Sequence, residues 1–65
     1  MTGIVASDGR LNLRTQPETT AAIVRKLDPG DGVTILDRSP DGVWLQVELT
    51  DGATGWVAAE FIAEP

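Results

Sequence analysis

Hydrophobic and polar residues alternate in short stretches along this chain, and turn-forming residues separate the stretches. Arg10 to Arg14 (RLNLR) alternates most cleanly, with Leu11 and Leu13 on one face and Arg10, Asn12 and Arg14 on the other. Gly3 to Ala6, Ala22 to Leu27, Val33 to Asp37, Gly42 to Leu49 and Thr54 to Ala58 are further candidate strands. Turn signals stand between them at Asp8-Gly9, Asp28-Pro29-Gly30, Ser39-Pro40-Asp41-Gly42 and Asp51-Gly52. Pro29-Gly30 is a strong pair, with Pro presetting φ and Gly supplying a positive one. No helix of any length is expected. Ala58 to Glu60 fits a single 3₁₀ turn, after which Phe61-Ile62 forms a last short strand. Thr15 to Ala21 is the longest irregular piece, and Pro17 within it cannot donate to a ladder, so it reads as an exposed loop between strands.

The two tryptophans fall in a hairpin, and loop parity decides what they do. A three-residue loop, Thr50-Asp51-Gly52 with Gly52 left-handed, sets Leu49 opposite Ala53, Gln46 opposite Trp56 and Leu45 opposite Val57. One face then carries Leu45, Val47, Leu49 and Val57. The other carries Trp44, Gln46, Glu48, Thr54 and Trp56, the indoles on a diagonal of about 7–8 Å. A two-residue Asp51-Gly52 turn would split the tryptophans between faces. The three-residue parity puts the aliphatics together and is the one expected.

Length limits these strands to one domain, spanning 1–65 with its core from about Gly3 to Ile62. The chain has no Cys, so neither a disulfide nor a thiolate metal site can staple it. An open sheet this small would leave one face and two edges wet, so the sheet is expected to curl closed.

The charge is acidic, with ten Asp and Glu against five Lys and Arg and a formal net charge of −5. That balance disfavours nucleic acid and anionic polymers as partners, and mildly favours amine-bearing ones. Much of it belongs to turns: five of the six Asp adjoin Gly or Pro. No run is long or apolar enough for membrane insertion, and no signal sequence is visible in this chain.

Neither His nor Cys is present, which removes the usual general base and thiol nucleophile. Asp28/Asp31 and Asp37/Asp41 are the nearest carboxylate pairs, but beside turns they are expected to cap backbone amides rather than do glycosidic chemistry. No catalytic residue, metal ligand or cofactor is assigned.

The order of signals resembles the bacterial SH3-type domain, a Src-homology-3-like barrel. Leu11-Asn12-Leu13-Arg14 with Pro17 matches the opening motif. Ile23-Val24, Leu27, Pro29-Gly30 and Val33 match the middle, Trp44 to Val47 the tryptophan strand, and Gly55-Trp56-Val57 with Phe61-Ile62 the close. The chain departs from the family in having Gln16 where Gly is common before the proline, and no Tyr. The resemblance implies an all-β, SH3-like barrel of five to six short antiparallel strands, with a long first loop and a 3₁₀ turn before the last strand. It also implies a non-catalytic module that binds cell-wall peptidoglycan, in particular its peptide part, and positions an attached domain. An envelope or secreted location, as part of a larger protein, goes with that. The alternative is a structural or protein-interaction module that packs against a neighbouring domain, so the expected partner is peptidoglycan, a peptide or a neighbouring domain. A monomer is assumed.

The ligand-binding candidates are Arg14, Gln16, Glu18, Trp44, Gln46 and Trp56. Each has a structural reading beside it. The tryptophans either stack on a ligand or lie under the Thr15 to Ala21 loop. Arg14 either binds a ligand carboxylate or pairs with a loop acid such as Glu18.

Overall fold

Every alternating stretch forms a strand in the computed structural model, which describes residues 1–64. Chain order is β1 (Thr2–Val5), β2 (Leu11–Arg14), β3 (Ile23–Leu27), β4 (Gly32–Arg38), β5 (Trp44–Glu48), β6 (Thr54–Ala58), a 3₁₀ turn (Ala59–Phe61) and β7 (Ile62–Ala63). Among the described residues there are seven strands rather than five or six, because the short first and last segments both pair. Phe61 belongs to the 3₁₀ turn and is exposed, so the last strand is Ile62–Ala63 rather than Phe61-Ile62.

The strands form one antiparallel sheet in the order β3-β2-β6-β5-β4-β1-β7. Laid flat, seven strands would spread over about 29 Å and be little more than 10 Å thick. The molecule instead measures 24 × 24 × 21 Å, so the sheet is strongly curled. Two β-bulges contribute to that bend. The β2–β3 register shifts where Leu13 faces Arg25 but Arg14 faces Ile23, which leaves Val24 as the extra residue. In the β4–β5 ladder Ile35 faces Val47 while Asp37 faces Gln46, which leaves Leu36 unpaired. Val24 and Leu36 are both exposed, as residues displaced from the pleat.

Inside the curl lie Val5, Leu11, Leu13, Leu27, Val33, Leu45, Val47, Val57 and Ile62, with Ile35, Leu49 and Ala59 packed against them. β2 crosses β6 closely at Gly55. A Cβ there would stand 2.7 Å from Leu13 Cγ and 2.8 Å from the Arg14 carbonyl oxygen. The absent side chain is what lets the two strands meet.

Candidate functional site

The hairpin has the expected parity. Gln46 faces Trp56, Leu45 faces Val57 and Val47 faces Gly55. The Leu49 amide donates to the Ala53 carbonyl at 2.8 Å, the Gly52 amide to the Leu49 carbonyl at 3.0 Å, and Gly52 has φ +92°. Both tryptophans therefore sit on the outer sheet face, and both are half-buried. Trp44 lies on the diagonal from Trp56, within reach of an aromatic neighbour.

β2 extends that face. Arg14 pairs directly with Trp56, so Arg14, Trp56 and Gln46 form one row across β2, β6 and β5. Arg14 does not take Glu18 as its partner: its Nη1 donates to the Ala21 carbonyl at 3.0 Å. A buckle thus joins the far end of the long loop to the tryptophan row. Within that loop the Glu18 amide donates to the Gln16 carbonyl and the Ala21 amide to the Glu18 carbonyl. Pro17 and Ala21 are half-buried, while Gln16, Glu18, Thr19 and Thr20 are exposed. Of the six candidates, the sheet register unites Arg14, Trp44, Gln46 and Trp56. Gln16 and Glu18 remain on the loop, and among the described residues their side chains bond to nothing in the row.

The sequence did not reveal what fixes Trp44. Ser39, the one buried polar residue among those described, accepts the Trp44 amide at 3.0 Å and donates to Asp41 Oδ1 at 2.6 Å. Asp41 Oδ1 in turn accepts the Val43 amide at 3.0 Å. The Ser39 hydrogen bond, with help from that amide, holds the Asp41 carboxyl below the usual carboxylate range. Ser39-Pro40-Asp41-Gly42 announces a turn in the sequence, but not that its hydroxyl reaches five residues ahead. At the hairpin's other end Asp51 is lowered as well, by the Ala53 amide first and then by Arg25, whose Nη1 lies 2.6 Å away.

These contacts bear on catalysis. The Ser39 hydroxyl is committed to a turn, and Asp28, Arg38, Val43 and Ala53 give their amides to Asp31, Asp37, Asp41 and Asp51. Asp31, Asp41 and Asp51 cap turns, as their place beside Gly and Pro suggests, whereas Asp37 lies inside β4 and meets the next residue's amide, and the Asp28 side chain pairs with Arg10. Among the described residues no group of three or more His, Cys, Asp or Glu is placed to hold a metal ion.

The bacterial SH3 domain model matches residues 9–63. This chain belongs to the bacterial SH3 domain family. Its β1 precedes the matched region. The domain is 33% identical over 63 residues to the teichoic acids export ATP-binding protein TagH of Bacillus cereus, covering 91% of this chain and 11% of that protein. It is 34% identical over 58 residues to serine/threonine-protein kinase D of Synechocystis, covering 83% of this chain and 12% of the kinase. With the putative N-acetylmuramoyl-L-alanine amidase YrvJ of Bacillus subtilis the identity is 27% over 59 residues, covering 91% of this chain and 11% of the amidase. The SH3 domain thus spans about a ninth of the length of these relatives.

Proposed function

We propose that this domain is a non-catalytic binding module that recognises the peptide part of bacterial peptidoglycan and positions an attached domain at the cell wall. The observation that carries the reading is the row Arg14–Trp56–Gln46 with Trp44 on its diagonal. Indole faces stack on planar peptide groups and sugar rings. Gln46 offers both a donor and an acceptor, and Arg14 keeps N–H groups beyond the one given to Ala21 for a ligand carboxylate. Gln16 and Glu18 would meet the ligand from the loop. Two relatives carry names from envelope chemistry, an amidase of muramoyl-alanine bonds and a teichoic acid exporter, which supports an envelope or secreted setting. The net charge of −5 favours amine-bearing stem peptides over anionic wall polymers. Isolated affinity is expected to be weak, with multivalency on the wall compensating.

Sedimentation with purified sacculi tests this. The domain should pellet with them, and Trp44→Ala/Trp56→Ala should remain in the supernatant while still melting cooperatively. A second reading, packing against a neighbouring protein domain, draws on the outward aliphatics Ile4, Leu36 and Val43 and on the kinase relative. Absence of wild-type domain from the sacculus pellet would favour it.

A further inference from the structure

A concavity of about 520 Å³ opens on the outer face of β1, β4 and the end of β5, away from the tryptophans. Its size falls within the range of small-ligand sites. Two rows of residues explain its shape. Ala63, Ile4 and Gly32 follow one another across β7, β1 and β4, and Thr2, Thr34 and Glu48 across β1, β4 and β5. The first row has a gap at its β4 end. Gly32 has no side chain, and a Cβ built there would meet nothing within 4 Å. Ile4 stands beside the gap, 52% exposed.

Charge supplies the second clue. Two carboxylates line the concavity. Glu64 is answered by Arg38, whose Nη2 lies 2.8 Å from it. Glu48 is half-buried and, among the described residues, makes neither an ion pair nor a side-chain hydrogen bond. An apolar trough with one unanswered carboxylate on its wall suits a ligand with one cation and an aliphatic neighbour.

We propose that this trough binds a peptide segment bearing a lysine-type primary amine, with the ammonium on Glu48 and an adjoining aliphatic side chain in the space over Gly32 against Ile4. The site does not depend on the tryptophan row, although Glu48 lies two residues beyond Gln46 on β5. Gly32→Val is the informative variant. The backbone of Gly32 is not left-handed and the space is open, so a β-branched strand residue fills the trough without disturbing the barrel.

The test is an amide-shift titration of the 65-residue chain with acetyl-Leu-Lys-Leu-amide, and with the same peptide carrying norleucine for lysine. Shifts are expected at Ile4, Gly32, Thr34 and Glu48, with the norleucine peptide about tenfold weaker or worse. Gly32→Val should abolish the shifts at an unreduced melting temperature. Glu48→Gln should bind the two peptides alike. Equal binding of both peptides to the wild type, shifts confined to the Trp44 and Trp56 indoles, or none up to about 10 mM peptide would each overturn the assignment. Gly32→Val should leave sacculus binding through the tryptophan row unchanged, which separates the two sites.

Discussion

Replacing Gly55 by Ala probes the contact on which the tryptophan row depends. The added methyl would lie 2.7 and 2.9 Å from Leu13 Cγ and Cδ1, and 2.8 Å from the Arg14 carbonyl oxygen. Leu13 is wholly buried, so it has little room to withdraw, and a backbone carbonyl moves only if β2 moves. β2 must therefore shift away from β6, at a cost of about 1–3 kcal/mol for overpacking. A 65-residue domain holds roughly 3–10 kcal/mol in all, at about 0.05–0.15 kcal/mol per residue. At about 4–8 °C per kcal/mol, the melting temperature should fall by roughly 4–24 °C. Thermal unfolding followed by circular dichroism and tryptophan fluorescence would measure this. Gly9→Ala is the control, since its Cβ meets nothing within 4 Å. A Gly55→Ala melting temperature equal to that of the wild type would refute the claim that this close approach joins β2 to β6.

Gly52→Val should cost about 1 kcal/mol or more, because φ +92° strains a β-branched residue; an unchanged urea midpoint would count against the loop geometry. Val47→Ala and Val57→Ala should each destabilise by roughly 1–3 kcal/mol through cavities, and circular dichroism of the double mutant should show no cooperative melt. Asp41 and Asp51 have lowered folded-state pKa values, so their contribution is present above the ordinary carboxylate value near 3.9 and fades as pH falls through the lower folded values. Melts below about pH 4 should therefore lose stability, and Asp41→Asn with Asp51→Asn should flatten that loss; an equally steep acid limb in the double mutant would remove these carboxylates as its cause.

Much of this architecture was legible because period-two alternation and turn chemistry agree. Leu45, Val47 and Val57 cluster only with a three-residue loop, and Asp51-Gly52 supplies the turn chemistry it needs. Pro29-Gly30 likewise announced a turn, and Gly30 has φ +92°. Other features rest on pairings distant in sequence. Nothing near Val24 or Leu36 marks a bulge, since a register shift is a property of two strands at once. Arg14 looked free to seek a loop acid, but the chain turns so that the Ala21 carbonyl meets it first. The union of Arg14 with Trp56 depends on a β2–β6 contact between residues 42 positions apart, visible only once Gly55 is seen packed on Leu13. The trough over Gly32 escaped for a similar reason: its walls come from β1, β4, β5 and β7.

Recognition of a wall peptide is the role proposed for the Arg14–Trp56–Gln46 row with Trp44. Titration of isotope-labelled domain with a soluble muropeptide, read at backbone amides and the two indole Nε1–H signals, tests it most directly. Saturable shifts at Arg14, Gln46, Trp44 and Trp56, with smaller ones over Thr15 to Ala21, are expected. Shifts clustered instead around Asp28 to Gly32, or none at all, would contradict it.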